Sequence, residues 1–286
     1  MRDFSNDCAN LALNTATLGH MLEGSGAGWS PEQVIDACAE RGFGGLVLWR
    51  REVGERAFAI GERIRAAGMQ VAGLCRSPFL VGPLAFTSLS ETVEDFNASV
   101  DTAAELGAAT LTVVAGGVIA ESHSMSESLK TVTEILARVA PYAERSGVKL
   151  ALEPLHPVYG GDRSCLVTVR DALAVCRNAG SKNIGIAIDV YHVWWDLALD
   201  EQLSRLGDTR ILGYHLCDWL AHTKDTLFDR GMMGDGVADL KKIRKAVEDA
   251  GYDGLCEVEI FSERDWWLKE PDVVLDTIAQ RFKSIC

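Results

Sequence analysis

The sequence predicts an α/β protein in which eight parallel strands, each followed by a helix, close into a single (β/α)8 barrel. Apolar runs of strand length alternate with helical segments along all 286 residues, and this strict alternation implies a parallel sheet. Right-handed crossovers then leave two choices, an open doubly wound sheet or a closed barrel, and the repeat of eight favours closure. Finally, four consecutive predicted strands deliver an acid or a histidine at their far ends, where barrel enzymes carry their chemistry.

The first half of the chain supplies four strand–helix pairs. Ser30 and Pro31 are typical of a helix start, as cap and first helical residue, and glycines end most of the predicted helices. We expect Ser90 to cap the third helix and the fourth to begin at Ser126. The predicted strands cover residues 10–17, 45–49, 70–75 and 110–114, and the helices cover 30–41, 53–67, 90–106 and 126–146.

The second half repeats the pattern with longer apolar runs. The run 149–153 is apolar at successive positions, as in a strand buried on both faces, and Pro154 then prevents further regular pairing. The other strands begin at 184, 211 and 255, the last running to 261, and the helices cover 168–178, 200–206, 238–250 and 271–282.

Glycines at positions 24, 26 and 28 suggest one alternative, a dinucleotide-binding open sheet. Such a sheet needs a Gly-rich turn that leads directly from the first strand into a helix. Here a linker containing His20 precedes the glycines and the capped helix begins only later. We therefore interpret this stretch as a mobile loop on the barrel rim.

Composition limits the class of protein. A chain that is 48% hydrophobic can bury a large core, so we expect residues 1–286 to form one domain. The net charge of -13 repels phosphate backbones and anionic membranes, so neither nucleic acid nor a membrane is an expected partner.

The eight cysteines are spread without a CxxC pair, which is typical of reduced, buried thiols in a cytosolic protein. The first residues lack the apolar core of a signal peptide, and no apolar run reaches the length of a membrane span. A cytoplasmic location is therefore the expectation.

Glu153, Asp189, His215 and Glu259 stand at matching ends of predicted strands five to eight. Their side chains would converge inside a parallel barrel, and close acids resist ionising together unless a cation compensates them. Three carboxylates and one imidazole suit a divalent ion, with Mn2+ expected ahead of Mg2+, Co2+ or Zn2+. The alternative is that each acid is a solvated strand end or a helix cap.

Four further residues follow these strands and are candidates for substrate binding. His156 and His192 each lie three residues after a predicted ligand and could bind a hydroxyl or transfer a proton, or could be hydrogen-bond donors behind the site. Asp218 could contact substrate or orient a neighbouring group. Arg230 could bind substrate oxygens through its guanidinium or could anchor its own loop.

Weaker candidates lie at the ends of the first three strands, where side chains could line the pocket: His20, Trp49, Arg50 and Arg76. Two tryptophan doublets, 194–195 and 266–267, are more often core or oligomer contacts than platforms for a sugar ring.

Several motifs, mostly between residues 150 and 267, carry a family resemblance. They are Leu152-Glu153-Pro154-Leu155, Asp189-Val190-Tyr191-His192, His215-Leu216-Cys217-Asp218, Arg230 with Gly234-Asp235-Gly236, and Gly251-Tyr252-Asp253-Gly254 leading into Val258-Glu259-Ile260-Phe261-Ser262. On these motifs the chain resembles the xylose-isomerase-like barrel superfamily, which contains sugar isomerases and epimerases, inosose dehydratases and isomerases, and apurinic endonucleases.

The resemblance to ketose 3-epimerases implies roles for individual residues. The residues matching Glu153, Asp189, His215 and Glu259 bind one divalent metal in that branch. Those matching Glu153 and Glu259 also form the proton-transfer pair. The residues matching His192 and Arg230 hold substrate oxygens. Glu257 competes with Glu259 as the acid of the last strand, but the family motif places the ligand directly before Ile-Phe-Ser.

Three functions follow as hypotheses. The first is a metal-dependent isomerase or epimerase of a small keto-sugar or polyol that works through an enediolate. The second is a lyase, which dehydrates a keto-inositol or eliminates from a 3-keto-glycoside, with His156 or His192 as the acid. The third is a non-catalytic barrel subunit. Nuclease activity is not expected, because 229–231 reads Asp-Arg-Gly and lacks the histidine of the endonuclease motif.

The sequence shows no dedicated phosphate-binding loop, so we expect an unphosphorylated substrate. The two tryptophan doublets, as candidate oligomer contacts, leave a homo-oligomer as one alternative.

Overall fold

The computed structural model, which describes residues 1–207 and 209–286, is a closed barrel of eight parallel strands in sequential order. The first strand pairs with both the second and the eighth, which closes the sheet. This confirms the predicted (β/α)8 fold. The strands are β1 Leu11–Asn14, β2 Gly45–Trp49, β3 Gln70–Cys75, β4 Thr110–Val114, β5 Lys149–Glu153, β6 Ile184–Asp189, β7 Ile211–Leu216 and β8 Cys256–Val258.

Helices follow every strand and cover the outside of the barrel. The connections after β2 and β6 each contain a four-residue helix before the longer one. The helices are α1 Pro31–Glu40, α2 Arg50–Val53, α3 Ala57–Ala66, α4 Leu89–Leu106, α5 Met125–Arg145, α6 Val169–Ala179, α7 Val190–Val193, α8 Leu199–Leu203, α9 Leu240–Asp249 and α10 Pro271–Ser284.

Helix starts follow capping chemistry. Ser30 caps α1 as predicted, and its hydroxyl accepts from the backbone N–H of Gln33. Two predicted starts were wrong. Ser88 rather than Ser90 caps α4, and α5 begins at Met125, capped by Ser124, one residue before the predicted start at Ser126. In both cases the capping serine lies three residues before a glutamate whose N–H it accepts, which is the more reliable sequence signal.

Strand β5 shows how the barrel sorts its side chains. Leu150 and Leu152 belong to the main hydrophobic core, whereas Ala151 and Glu153 line cavities within the barrel. Successive side chains point to opposite faces of a strand, so the inward positions form layers. Toward the amino-terminal end of the barrel the inward side chains are small. There Ala72, Thr110, Ala151 and Gly213 line a cavity of about 670 Å³.

The last strand is shorter than predicted, ending at Val258 instead of continuing to residue 261. The hydroxyl of Thr17, just after β1, donates to the carbonyl of Val258 and accepts from the N–H of Ile260. On the side facing the first strand, the Thr17 side chain therefore takes the place of backbone pairing. Glu259 lies directly beyond the strand, at the carboxyl-terminal rim.

All eight cysteines are buried and free, as expected from their spacing. None of the helices in the described ranges combines the length and apolar character that crossing a bilayer requires.

Candidate metal and substrate site

The structure brings the four predicted ligands together at the carboxyl-terminal rim. Glu153 and Asp189 are the last residues of β5 and β6, His215 lies near the end of β7, and Glu259 follows β8. All four are buried, and each offers one ligand atom within 4.8 Å of the others. The alternative that these acids are solvated strand ends is therefore wrong, although Asp189 also accepts from the N–H of Tyr191 and caps α7.

Two buried atoms in this cluster lack a hydrogen-bond partner among the described residues. The Nδ1 of His215 and Oε1 of Glu153 lie 2.9 Å apart, yet their angle does not meet hydrogen-bond geometry, and neither atom has another partner. Buried polar atoms are normally satisfied. Two unsatisfied ligand atoms in a group with two more carboxylates therefore fit a divalent cation.

Glu257 lies behind His215. One of its oxygens is 3.3 Å from Nε2 of His215, and the other accepts from the Nδ2 of Asn14 at 2.7 Å. Gly213 makes room for this ring, because a Cβ there would lie 3.0 Å from Nε2. An imidazole whose far nitrogen contacts a carboxylate is held in one orientation, as metal-binding histidines commonly are. Glu257 thus orients His215, whereas Glu259 belongs to the four-residue cluster. Cys75, Glu257 and Glu259 form a second set of side chains whose potential ligand atoms lie within 4.8 Å of one another.

Arg230 is buried beside the cluster. Its Nη1 lies 2.8 Å from Asp189 and 3.2 Å from Glu259, and its guanidinium sits over the rings of Tyr191 and Phe261. Although burial disfavours its charge, the carboxylate of Asp189 raises the pKa of Arg230 well above its ordinary value. Likewise, Arg230 overcomes burial and lowers the pKa of Asp189. Arg230 therefore forms ion pairs, but with two predicted ligands, and its binding of substrate oxygens stays a prediction.

Two members of the cluster, Glu259 and His215, hold protons more strongly than usual. Burial, reinforced by the charge of Glu153, raises the pKa of Glu259 to about 8 in spite of Arg230. Burial also opposes the charged form of His215, but the carboxylates of Glu257 and Glu153 outweigh it and raise the pKa of this imidazole well above its ordinary value. In the protein without a cation, both groups carry protons at neutral pH.

Metal affinity should consequently rise with pH. A cation must displace the protons of Glu259 and His215, so we expect Mn2+ to bind about tenfold more tightly per pH unit for each displaced proton, up to about pH 8 for Glu259. Titration calorimetry at several pH values, in buffers of different ionisation enthalpy, measures the affinity and counts the protons. An affinity that is constant from pH 6 to 9, with no proton released, would contradict this.

A cavity of about 350 Å³ opens above the cluster, a size at the low end for ligand pockets. Glu153, Glu259, His192 and Arg230 line it together with aromatic and cationic side chains. The aromatic and cationic residues are Trp49, Phe79, Tyr159, Phe228, Phe261, Arg76 and Arg163. A small polar molecule with apolar faces would match this lining.

His192 lies in the cavity wall on α7. Its Nδ1 accepts from the backbone N–H of His156, and its Nε2 is 3.5 Å from Arg230. Burial lowers the pKa of His192 to about 4, so the imidazole is neutral near pH 7. Because Nδ1 accepts, the neutral ring carries its hydrogen on Nε2 and can donate it in a hydrogen bond to a hydroxyl, but the ring is a weak source of protons.

Two predicted substrate-binding residues do not line the cavity. His156 stacks on Trp219 with ring centroids 4.7 Å apart, and its Nδ1 accepts from the N–H of Val158. Asp218 is buried and accepts three backbone N–H groups, those of Trp219, Gly234 and Ala238. Asp218 organises the loop after β7, the second of the two roles considered for it.

The positions of the tryptophans agree with the sequence expectation. Trp49 lines the cavity and donates its indole N–H to Asn14. Neither doublet lines it: Trp194 packs against Trp219, and the indole N–H of Trp267 donates to the carbonyl of Ala16.

Asn14 was not singled out in the sequence. Its Nδ2 donates to both Glu257 and Glu259, at 2.7 and 2.9 Å, so it links the two acids of the last strand. It is the final residue of β1. The predicted first strand ran on to residue 17, so Asn14 lay in its interior and the strand-end signal that identified the four ligands did not point to it.

Comparison with known proteins places these features in context. Residues 35–281 match the family model described as xylose isomerase-like TIM barrel. Among curated proteins, the chain is 27% identical over 180 residues to an inosose isomerase of Bacillus subtilis (strain 168), covering 60% of this chain and 61% of that protein. It is 28% identical over 171 residues to a ketose 3-epimerase of Arthrobacter globiformis, covering 59% and 55%. The chain thus matches less than two thirds of the length of these relatives.

Two solved structures resemble the whole barrel. Protein SMc04130 from Sinorhizobium meliloti 1021 is 42% identical, with a TM-score of 0.88 and coverage of 97% of this chain and 98% of that one. The IOLI protein with a binding zinc atom superposes with a TM-score of 0.80, covering 96% of both chains, but at 20% identity it shows the shared fold alone.

Proposed function

Since the chain belongs to the xylose isomerase-like TIM barrel family, we propose that it is a divalent-metal-dependent isomerase or epimerase of a small keto-sugar or related polyol. One observation carries this proposal: Glu153, Asp189, His215 and Glu259 converge, buried, and two of them, Glu153 and Glu259, line a small cavity. The names of the relatives, inosose isomerase and ketose 3-epimerase, support the substrate class.

The four clustered residues would hold the cation, with Mn2+ the ion we propose for an oxygen-rich set. When bound, the cation polarises a carbonyl and the adjacent hydroxyl and so makes the C–H bond between them more acidic. The name of the IOLI structure supports a divalent ion in this fold and leaves zinc as the competing choice.

Glu153 and Glu259 are the proposed proton-transfer pair. They project from β5 and β8, on different sides of the barrel, and both line the cavity. One would remove the proton beside the carbonyl to give the enediolate, and the other would return a proton to the opposite face.

Arg230 and His192 would hold substrate oxygens. The Nε of Arg230 is buried without a hydrogen-bond partner among the described residues, and its Nη2 has only a 3.5 Å contact with His192. These N–H groups are therefore available to a hydroxyl or carbonyl oxygen in the cavity.

The position of His156 weakens the lyase alternative. Elimination needs an acid near the leaving group, and His156 lies outside the cavity against Trp219, while the neutral His192 has a pKa of only about 4. Proton transfer without elimination is the simpler use of the groups that line the cavity.

Proton exchange in D2O tests the proposal. We expect Mn2+-loaded protein to exchange the hydrogen beside the carbonyl of a keto-sugar or keto-inositol for deuterium, observed by proton NMR across a panel of such compounds. Protein dialysed against a chelator should lose this activity, and Mn2+ should restore it.

The same samples separate the alternatives. Turnover without deuterium incorporation would contradict an enediolate route, and an ultraviolet band of an unsaturated ketone would identify a lyase. Full activity after removal of the metal would contradict metal dependence.

A further inference from the structure

Arg76, directly after β3, is a cation in the cavity that has no acidic partner among the described residues. Its guanidinium carbon lies 3.8 Å from the ring centroid of Phe79, and its Nη1 donates to the carbonyl of Ser77 at 2.9 Å. Within residues 1–207 and 209–286 it forms no ion pair with a carboxylate. Burial, together with the charge of Arg163, lowers the pKa of Arg76 to about 10, so it remains charged at neutral pH.

Arg163 is the second cation on this side of the cavity. It lies in the loop after β5 and is paired only loosely, 3.6 Å from its sequence neighbour Asp162. Arg230, in contrast, directs its charge to Asp189 and Glu259. Among the described residues, the cavity therefore contains two guanidinium groups that form no ion pair with the acids of the metal cluster.

Placing a guanidinium in a partly buried pocket beside another cation is unfavourable unless something compensates the charge. A guanidinium stacked on an aromatic ring keeps its N–H edge free, and that edge fits the two oxygens of a carboxylate or phosphate. The chain as a whole carries a charge of -13 and repels anions, so an anionic ligand would need such local cations.

We propose that the substrate of this site carries an anionic group, a carboxylate or a phosphate, which Arg76 and Arg163 bind while the carbonyl lies at the four-residue cluster. The carbonyl half of this statement rests on the proposed function. The anionic half rests on the two arginines, and a phosphate there would overturn the expectation of an unphosphorylated substrate.

Three ketoses that share a carbon skeleton test the proposal. D-fructose, D-fructuronate and D-fructose 6-phosphate differ at one end, which is neutral, a carboxylate or a phosphate. We expect titration calorimetry with Mn2+-loaded protein to show at least tenfold tighter binding of one or both anions than of D-fructose. The tighter of the two anions identifies the group that the site accepts, and added NaCl should weaken the anions alone.

Variants assign the effect to the arginines. Arg76→Gln should lower the affinity for the preferred anion at least tenfold more than that for D-fructose. Arg163→Gln, in a partly exposed loop, should do so a few-fold and serves if the first variant does not fold. Arg170→Gln, an exposed arginine of α6, is the matched control and should change none of the three affinities.

The proposal is overturned if the three ketoses bind equally, if none binds, or if neither Arg76→Gln nor Arg163→Gln selectively weakens the anions. Deuterium exchange keeps this result separate from the proposed function. A preference for anions without exchange of any ketone would remove the isomerase function and leave the anion site. Exchange without a preference for anions would remove the anion site and leave the isomerase function.

Discussion

Replacing Glu259 with Gln is expected to slow deuterium exchange by about a thousandfold or more. The substitution keeps the size of the side chain but removes a metal ligand and one member of the proton-transfer pair at the same time, and acid–base catalysis alone is worth about 10²- to 10⁴-fold. NMR exchange rates at saturating Mn2+ give the measurement.

Glu257→Gln is the matched control for this substitution, since Glu257 is two residues away, is also buried and also contacts Asn14. Because Glu257 touches His215 from behind, its loss should weaken Mn2+ binding about 10- to 100-fold, and excess Mn2+ should recover much of the rate. If Glu257→Gln were the more damaging change at saturating metal, the assignment of the two glutamates would have to be exchanged.

Replacing Arg230 with Met is expected to destabilise the metal-free protein by about 3–5 kcal/mol. Removing one partner of a buried ion pair leaves the other charge uncompensated, and here Asp189 and Glu259 both lose their contact with the guanidinium. Denaturant unfolding after chelation measures the change. Mn2+ should restore part of the stability, since it supplies positive charge to the same carboxylates.

The loss should also depend on pH in a definite direction. The pKa of Glu259 is about 8 with Arg230 present, and removing the cation raises it further. Protonation of Glu259 at low pH relieves the repulsion between its carboxylate and that of Asp189. The destabilisation should therefore be smaller at pH 6 than at pH 9. Arg205→Met, which removes an exposed ion pair with Glu201, is the control and should cost less than about 1 kcal/mol. A loss below 1 kcal/mol for Arg230→Met would show that the pair is not essential to the fold.

The barrel could be predicted because its signals are local. The run 149–153 and the eightfold alternation of strands and helices depend on residues close in sequence. The errors at Ser90 and Ser126 were local too, since each passed over the serine three residues before a glutamate. The shortening of β8 was not local, because Thr17 replaces its backbone pairing from the other end of the chain.

The sequence by itself determined that four strand ends would meet and which residues they carry, because in a parallel barrel the carboxyl end of every strand reaches the same rim. Only the tertiary structure decided what each side chain does there. It placed Glu257 behind His215, joined Arg230 to Asp189, kept His156 outside the cavity and left Arg76 without an acid. Contacts such as Asn14 to Glu257 join residues 243 positions apart, and no periodicity in the chain specifies which of several nearby polar groups will pair across the barrel.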